Sequence, residues 1–568
     1  MRALQICLLI FFARHSSGSG RNGCDHACLN SPSDQHRDRY NRQPNIIYIM
    51  SDDMGWNDVG FKNPKVKTPN IDSFKKKGIE LTQSYMQPVC SASRASFVTG
   101  KYPSNNAVQL LVILEESLSC LPIEQKTIFE YMKEEGYVTK FVGKWHLGYC
   151  NTTCRPGSRG VDEFRGIYTG SAHYFNWTEY GVLQRRINNR PTTENIGTHM
   201  TTQDARDTRE MILAHKDNPK PLFMWVSPTA PHDPLQVTDA MFNVHHEFLN
   251  ATVNKTKSRR TYLGLVSAFD DLLGDTLAAI KEAGLDKNTV VIFSSDNGGA
   301  SQSSANAGYQ YYANNYPLRN GKLTFMDGGV RVPTVYYDPR LKSSTRGTER
   351  DFLIHVTDWL PTFVHLAKQG RRSSNFKIEG LDGVSQLANL GSNYNCPEQR
   401  KYNRREEMLV GLTDNKIKYR NPPKCATEDA AFRWRDYKLI HGYQYYIVDP
   451  DTLDTEWSKP EESPELPDIT GDNCHRMVNG ERVVRCLFNV IDDPRETKNL
   501  YDEHPALVAR LLRKIQEAKW ESVKPIYRPD IGKTNYTVKQ WGNYLVPQEN
   551  YCDPLVDSPL IGADPSCY

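Results

Sequence analysis

The stretch Ile46-Ile47-Tyr48-Ile49-Met50-Ser51-Asp52-Asp53 indicates the fold class, because a run of β-branched and aromatic residues ends directly on two carboxylates. The apolar run predicts a buried strand. Thr68-Pro69 then supplies a helix N-cap followed by proline at the first helical position. A strand followed by a helix is the repeating unit of α/β proteins.

Three further apolar runs extend this pattern along the chain. Residues 138–142, 222–226 and 290–293 predict buried strands, and residues 262–283 have the periodicity of a helix. Strands that alternate with helices predict an α/β fold with a mostly parallel sheet. Ligands of such sheets bind beyond the carboxyl ends of the strands, so the residues that follow each strand are the candidates for a site.

Composition is that of an ordinary globular protein. The 568 residues are 38% hydrophobic and 24% charged, which excludes a disordered or fibrous chain. With 70 basic and 67 acidic residues the formal charge is only +3, and this argues against general nucleic-acid binding. Any attraction for anions must therefore be local to a site.

The first 20 residues predict a secretory signal peptide. Met1-Arg2 precedes an apolar stretch that ends at Ala13, and small residues follow it. The stretch is too short for a membrane-spanning helix, and no later stretch has that length. We therefore expect a protein of the secretory pathway without a membrane span. Glycosylation is predicted at five Asn-x-Thr sequons, which begin at Asn151, Asn176, Asn250, Asn254 and Asn535.

Oxygen ligands follow two of the predicted strands. Asp52 and Asp53 come after the first strand, and Asp296 and Asn297 come after the 290–293 strand. Any one such pair could simply form a turn. Three carboxylates and an amide together, with no histidine or thiolate, suit Ca²⁺ or Mg²⁺ better than zinc.

Cations form a second set of candidates. Lys144 and His146 follow the 138–142 strand, and their spacing in an extended segment lets both side chains point the same way. His232 lies between two prolines in a predicted rigid loop, and Lys322 precedes a glycine-rich stretch. Taken singly, each of these residues could be an ordinary surface residue.

Cys90 opens the run Cys90-Ser91-Ala92-Ser93-Arg94-Ala95-Ser96-Phe97-Val98-Thr99-Gly100. A single cysteine of a secreted chain is most often half of a disulfide. The chain has 13 cysteines, of which Cys7 lies in the predicted signal peptide. Setting Cys90 aside as well leaves an odd number, so at least one would be free or intermolecular. Cys150 and Cys154 have no second pair at zinc-site spacing, which favours disulfides over a metal.

The Cys90 run resembles the signature of the type I sulfatases, Cys-x-Pro-x-Arg, with Ala92 where the family usually has proline. The other candidates occur in the family's chain order: Asp52-Asp53, Lys144 with His146, His232, Asp296-Asn297 and Lys322. The residues around His232 and Lys322 are most similar to the arylsulfatase B group, the N-acetylgalactosamine-4-sulfatases. Asp327 departs from the family's more usual glutamate by one methylene.

The resemblance implies an alkaline-phosphatase-like fold and a division into domains. Residues 40–385 would form the catalytic domain around a large, mostly parallel sheet flanked by helices. Residues 386–568 would form a smaller domain with a short antiparallel sheet and a helix. Within that domain, the alternation over residues 431–440 predicts one strand, and residues 505–519 predict the helix.

The resemblance also implies a role for each site residue. Cys90 would be oxidised to formylglycine by the formylglycine-generating enzyme, and its hydrate would attack sulfur. The resemblance assigns Ca²⁺ to Asp52, Asp53, Asp296, Asn297 and residue 90. Arg94 would steady residue 90, and His146 would hydrogen-bond its second hydroxyl and act as the base that releases sulfate. Lys144 and Lys322 would bind the sulfate oxygens, and His232 would be the general acid.

The implied function is an arylsulfatase B-like sulfatase that acts on N-acetylgalactosamine 4-sulfate groups of glycosaminoglycans, in the lysosome or outside the cell. Alternatives are an arylsulfatase for small aryl or plant-derived esters, a silent secreted binding protein that keeps the Cys90 thiol, and a phosphatase or phosphodiesterase of the related fold. The last would want a Ser or Thr nucleophile and usually two metals with histidine ligands, and neither is evident.

Disulfide pairings are predicted on two grounds. The resemblance supports Cys120 with Cys154, and proximity in sequence favours Cys474 with Cys486 and, more weakly, Cys396 with Cys425.

Overall fold

The structure is a computed structural model. It describes residues 42–109, 112–114, 117, 119–247, 259–301, 312–368, 376–391, 404–414, 428–442, 474–478, 481–526, 538–541 and 544–547. The predicted signal peptide, the sequons at Asn250, Asn254 and Asn535, and the Cys396–Cys425 pair lie outside the described residues.

A ten-stranded sheet forms the centre of the first part of the chain, in the order β13-β2-β12-β11-β1-β10-β4-β5-β8-β9. These strands are β1 (Asn45–Ser51), β2 (Ile79–Leu81), β4 (Val138–Lys144), β5 (Glu163–Ile167), β8 (Arg185–Ile187), β9 (Arg190–Pro191), β10 (Leu222–Ser227), β11 (Thr289–Ser295), β12 (Thr334–Tyr337) and β13 (Glu349–Arg350). The four predicted strands are confirmed as β1, β4, β10 and β11. With β5 they form the parallel centre of the sheet, and β12, β8 and β9 add antiparallel pairs toward the edges.

Each face of this sheet is covered by a separate apolar core. Along β1, Tyr48 packs into one core, with Trp225 and Trp359, while its neighbour Ile49 packs into the other, with Phe269. Successive strand residues face opposite sides, so a strand buried on both faces must be apolar throughout, as β1 is. The helices described in this part of the chain are Pro69–Lys77, Cys90–Thr99, Pro103–Asn106, Ile128–Glu134, Met200–Leu213, Asp239–Asn243, Arg259–Glu282, Asp327–Val330 and Trp359–Ala367.

The later part of the chain forms a five-stranded antiparallel sheet, in the order β15-β16-β17-β19-β18. The strands are β15 (Glu407–Asp414), β16 (Glu428–Trp434), β17 (Tyr437–Gly442), β18 (His475–Val478) and β19 (Glu481–Asn489). The predicted helix is confirmed at Pro505–Glu521, and its Leu511 and Ile515 pack on Leu439 and Leu487 of the sheet.

The prediction of one strand over residues 431–440 is wrong. The run is a hairpin of β16 and β17, which pair antiparallel from Trp434 opposite Tyr437. Arg435, in the turn, has a φ of 51°. A positive φ is what a two-residue hairpin turn requires, and the absence of glycine or asparagine there hid the turn.

Six short strands complete the described structure, in a two-stranded and a four-stranded sheet. β3 (Ser84–Tyr85) pairs with β14 (Ile354–His355). The late strands β20 (Val538–Trp541) and β21 (Tyr544–Pro547) join β6 (Thr178–Glu179) and β7 (Val182–Leu183) in a fourth sheet, so β21 pairs with the first part of the chain.

Disulfides join Cys120 to Cys154 and Cys474 to Cys486, as predicted. Among the described helices, none is both long and apolar enough to cross a membrane.

Candidate active site

The carboxyl ends of the parallel strands meet the N-terminus of the helix Cys90–Thr99. Asp52 and Asp53 follow β1, Lys144 ends β4, the His232 loop follows β10, and Asp296 follows β11. All of these side chains are buried, and His232 is the most exposed of them at 8%. The sheet topology thus brings together residues that are far apart in sequence.

Cys90 is the first residue of its helix and is fully buried. Its Sγ lies 3.5 Å from Asp52 Oδ1 and 3.9 Å from Asp53 Oδ1. Both carboxylates reach the same sulfur because Asp53 has a φ of 64°, whereas neighbours in a regular strand point apart. Burial, reinforced by Asp296, raises the pKa of the Cys90 thiol well above its ordinary value. As a cysteine, this residue is a protonated thiol and a poor nucleophile.

The oxygen donors form a site suited to a hard cation. One ligand atom from each of Asp52, Asp53, Cys90 and His232 lies within 4.8 Å of the others. Asp296 Oδ1 accepts a hydrogen bond from the Asp53 backbone N at 3.3 Å, which ties β11 to β1. Within the described ranges, this is the one group of histidine, cysteine and acidic residues that could hold a metal ion.

Asn297 supplies an observation that fits a cation. Its Nδ2 donates to Asp53 Oδ1 at 2.7 Å, while its buried Oδ1 has no hydrogen-bond partner among the described residues. A buried amide oxygen without a partner is costly, and an ion held by the neighbouring carboxylates would satisfy it. Carboxylate and amide oxygens are the preferred ligands of Ca²⁺ and Mg²⁺.

The charges of the carboxylates are set by burial and by the surrounding cations. Burial alone would raise the pKa of Asp52, but Lys144, His232, Arg94 and Lys322 together hold that pKa well below its ordinary value. Burial and the like charge of Asp52 raise the pKa of Asp296 to about 6. A bound divalent cation would remove the repulsion among these carboxylates.

Two buried lysines face the acids. Lys144 Nζ lies 2.6 Å from Asp52 Oδ2, and Lys322 Nζ lies 2.7 Å from Asp53 Oδ2. Both lysine side chains are fully buried. Two fixed positive charges in this cluster are groups that can bind an anion such as sulfate.

Arg94 pairs with Asp296, and its Nη2 also lies 3.8 Å from Asp52 Oδ2. Its Nε and Nη2 donate to Asp296 Oδ2 at 3.1 and 2.9 Å, and its Nη1 donates to the Lys144 carbonyl at 2.5 Å and to Ser227 Oγ at 3.0 Å. The arginine thus connects the Cys90 helix with the ends of β4, β10 and β11.

His146 is a neutral, buried imidazole. Burial, reinforced by the charges of Lys144 and Arg94, lowers the pKa of His146 well below its ordinary value. Its Nδ1 has no hydrogen-bond partner among the described residues. Ser91 Oγ donates to the His146 carbonyl at 3.0 Å, which ties the histidine to the residue after Cys90. A neutral imidazole can accept a proton.

His232 is positioned by a residue that the sequence did not reveal. Tyr174 donates its hydroxyl proton to the His232 carbonyl at 2.9 Å. The Nδ1 of His232 lies 2.7 Å from the Asp233 carbonyl, and its Nε2 lies 3.6 Å from Asp53 Oδ2. If Nδ1 carries a proton for that carbonyl, Nε2 is the ring atom that faces the site.

Tyr262 is a second residue that sequence reasoning missed. Its hydroxyl lies 3.0 Å from the Asp53 carbonyl and 2.9 Å from Asp58 Oδ2, and it supports the strained turn of Asp53. In the sequence Tyr262 is one apolar position of a helix, and no local signal distinguishes it.

Known proteins with a similar sequence or structure were found. A family model described as Sulfatase matches residues 44–369, a range that contains every predicted site residue. Arylsulfatase J of Mus musculus is 30% identical over 512 residues, which cover 87% of this chain and 78% of that protein. N-acetylgalactosamine-6-sulfatase of Mus musculus is 31% identical over 361 residues, which cover 60% of this chain and 65% of that protein.

Among solved structures, one described as Ps i-CgsB in complex with k-i-k-neocarrahexaose has a TM-score of 0.66 and 26% identity, and the match covers 86% of this chain and 96% of that one.

Proposed function

This chain belongs to the sulfatase family and is a sulfuric ester hydrolase, and we propose that it hydrolyses sulfated carbohydrates with a formylglycine at residue 90 and a bound Ca²⁺ ion. One observation carries the proposal. Cys90 lies at a helix N-terminus within 4 Å of two carboxylates, and each carboxylate pairs with a buried lysine. This arrangement places an anion site and a cation site around one residue.

Formylglycine at residue 90 would supply, as its hydrate, one hydroxyl for attack on sulfur and a second whose deprotonation releases sulfate. Ca²⁺ would supply the charge that lowers the pKa of a hydroxyl. Asp52, Asp53, Asp296 and Asn297 are the residues that would hold it.

The lysines and the arginine act through their charge, and the two histidines transfer protons. Lys144 and Lys322 hold the sulfate oxygens as negative charge develops on them. His232, when protonated, gives its proton to the departing alkoxide or phenoxide oxygen. His146 accepts a proton when sulfate is released, since burial keeps its imidazole neutral. Arg94 keeps Asp296 in place.

We propose the N-acetylgalactosamine 4-sulfate groups of glycosaminoglycans as the substrate. Support for the 4-sulfate comes from the sequence around His232 and Lys322. The relatives named N-acetylgalactosamine-6-sulfatase support the same sugar, with the sulfate at another position. The second candidate is a small aryl or plant-derived sulfate ester, which the likeness to arylsulfatase J favours. A silent binding protein would keep the Cys90 thiol.

The proposal extends to the domains, the maturation and the destination of the protein. We propose that residues 1–20 are a signal peptide, that residues 40–385 form the catalytic domain and residues 386–568 the smaller one, and that the enzyme works in the lysosome or outside the cell. The formylglycine-generating enzyme would convert Cys90. Since Cys90 is fully buried in the folded protein, that conversion must precede folding.

Peptide mass analysis tests the proposal directly. The peptide that contains residue 90 is expected to carry an aldehyde, and complete alkylation of residue 90 as a thiol would contradict the proposal. Cys90→Ala should abolish hydrolysis of 4-nitrophenyl sulfate at unchanged folding, whereas retained turnover would exclude residue 90 as the nucleophile. A panel of N-acetylgalactosamine 4- and 6-sulfate oligosaccharides and aryl sulfates then distinguishes the two substrate classes.

A further inference from the structure

We propose that Lys438 and Glu496, which lie in the later part of the chain, are positioning residues that hold Lys322 in place for sulfate. This inference rests on the role proposed above for Lys322. The structure links the two residues to Lys322 through residues 319–331, which we call the Lys322 segment.

Lys438 reaches this segment from the C-terminal sheet. It lies on β17, and its Nζ donates to the Phe325 carbonyl at 2.8 Å and to Asp327 Oδ1 at 2.6 Å. The same Nζ lies 2.7 Å from Glu496 Oε1. The side chains of Lys438, Asp327 and Glu496 are all fully buried, so no solvent screens these charges.

Glu496 holds the same segment at two other points. Its Oε2 accepts a hydrogen bond from the Asp327 backbone N at 2.7 Å, and its backbone carbonyl accepts one from Arg319 Nη1 at 2.7 Å. Glu496 has a φ of 54°. A bulky residue in this region is strained, and such strain persists only where surrounding contacts fix the backbone.

Asp327 is where the two parts of the chain meet. Its Oδ2 accepts the hydroxyl proton of Tyr85 at 2.8 Å, while Lys438 binds its other oxygen. Arg433, also from the C-terminal sheet, donates to the Tyr85 hydroxyl and, at 2.8 Å, to Gln83 Oε1. The position that departs from the family's usual glutamate is therefore held by residues of the later part of the chain.

Backbone hydrogen bonds connect the Lys322 segment with the active site. The Gly328 backbone N donates to the Arg319 carbonyl at 2.9 Å, which closes the segment on itself. The Lys322 backbone N donates to the Gly299 carbonyl at 3.1 Å, and the Leu323 backbone N donates to the Pro88 carbonyl at 2.9 Å. Gly299 follows Asn297 and Pro88 precedes Cys90, so Lys322 sits between the two halves of the site.

Lys438→Met would remove the hydrogen bonds to the Phe325 carbonyl and to Asp327 Oδ1. Asp327 and Glu496 would lose the buried lysine that they share, and the Lys322 segment would lose one of its two attachments to the later part of the chain. A displacement of about 1 Å in a positioning group can cost on the order of 10²-fold in rate. We therefore expect a large effect on catalysis from a residue that does not touch the substrate.

The test compares Lys438→Met with Arg405→Met, a matched control. Arg405 forms another buried ion pair between the two parts of the chain, with its Nη2 at 2.5 Å from Asp358 Oδ1, but neither residue belongs to the Lys322 segment. For each variant, kcat/KM on 4-nitrophenyl sulfate, inhibition by inorganic sulfate, and hydrogen exchange of peptides from residues 319–331 are measured.

Lys438→Met is expected to lower kcat/KM about 10²-fold, to weaken inhibition by sulfate and to speed exchange in the segment. Arg405→Met should leave sulfate inhibition and exchange in the segment unchanged. A folded Lys438→Met protein with wild-type exchange and sulfate inhibition would overturn the proposal, and so would equal effects in both variants.

Glu496 provides the second arm if Lys438→Met does not fold. Glu496→Ala removes the acceptor for the Asp327 N–H and should weaken sulfate inhibition, whereas Glu496→Gln keeps an acceptor and should restore it. Equal inhibition in the two variants would count against the positioning role. If the wild-type protein neither turns over sulfate esters nor binds sulfate, the proposed function fails, and exchange in residues 319–331 still decides whether Lys438 holds the segment.

Discussion

Glu496 should make the stability of this protein fall as the pH rises. The group is fully buried beside Asp327, and one lysine, Lys438, is shared between the two carboxylates. Burial raises the pKa of Glu496 from its ordinary 4.5 to about 7; the charge of Lys438 opposes this rise and that of Asp327 adds to it. The pKa of Asp327 is lowered instead, because Lys438, Arg331 and Arg433 outweigh its burial.

The size of the effect follows from linkage. A carboxyl group with a raised pKa binds its proton more tightly in the folded protein than in the unfolded chain. Its contribution to stability is therefore complete below pH 4.5 and is lost as the pH rises toward about 7. At about 1.4 kcal/mol per pKa unit, the free energy of unfolding should fall by about 2 to 3 kcal/mol between about pH 5 and pH 8 from this group alone.

Equilibrium urea unfolding, followed by tryptophan fluorescence at both pH values, measures this loss. Asp204 and Asp270 also have a pKa raised by burial, to about 6, so the wild-type slope contains their contributions too. Comparison with Glu496→Gln isolates the one group, and the variant should lose about 2 to 3 kcal/mol less than the wild type. Glu407→Gln, at a partly exposed ion pair with Lys514, is the control and should leave the slope unchanged. A Glu496→Gln protein with the wild-type slope would refute the reasoning.

Three further outcomes are expected. Lys322→Ala should lower kcat/KM on aryl sulfates by about 10²- to 10³-fold. The control Lys140→Met, at a buried lysine of the ten-stranded sheet that pairs with Glu163, should leave kcat/KM unchanged. A Ca²⁺ concentration about 100 times its Kd should raise the free energy of unfolding by about 2.7 kcal/mol over a chelated sample; no shift in urea midpoint would argue against a resident cation. Replacing Cys120 and Cys154 by serine opens a loop of 34 residues and should cost about 3 to 4 kcal/mol, measured by the same unfolding assay, and a loss below about 1 kcal/mol would contradict the estimate.

The centre of the sheet could be predicted from sequence because parallel strands buried on both faces are continuous apolar runs. The acids Asp52, Asp53 and Asp296 could be predicted because they follow such runs. The hairpin at Arg435 could not, since the alternation of β16 continues into β17 without a glycine or asparagine at the turn.

Contacts that join distant parts of the chain also escaped prediction. The ion pair of Arg94 with Asp296 could not be predicted, because only the assembled sheet brings these two residues together. In the sequence, Lys438 is one residue of a strand and Glu496 is one residue of a loop, and no motif distinguishes either of them. Their importance arises from packing against residues more than 100 positions earlier, and no local pattern records such a contact.

The pairing of Lys144 with Asp52 and of Lys322 with Asp53 has a thermodynamic consequence. A cation that takes the carboxylates releases both lysines, and an anion that takes the lysines releases both carboxylates. The lysines compete with the cation for the carboxylates, and the carboxylates compete with the anion for the lysines. Binding of either ligand therefore removes the competitor of the other, so the cation and the anion should bind with positive cooperativity. Because such coupling is reciprocal, sulfate should tighten the binding of the cation by the same factor by which the cation tightens the binding of sulfate.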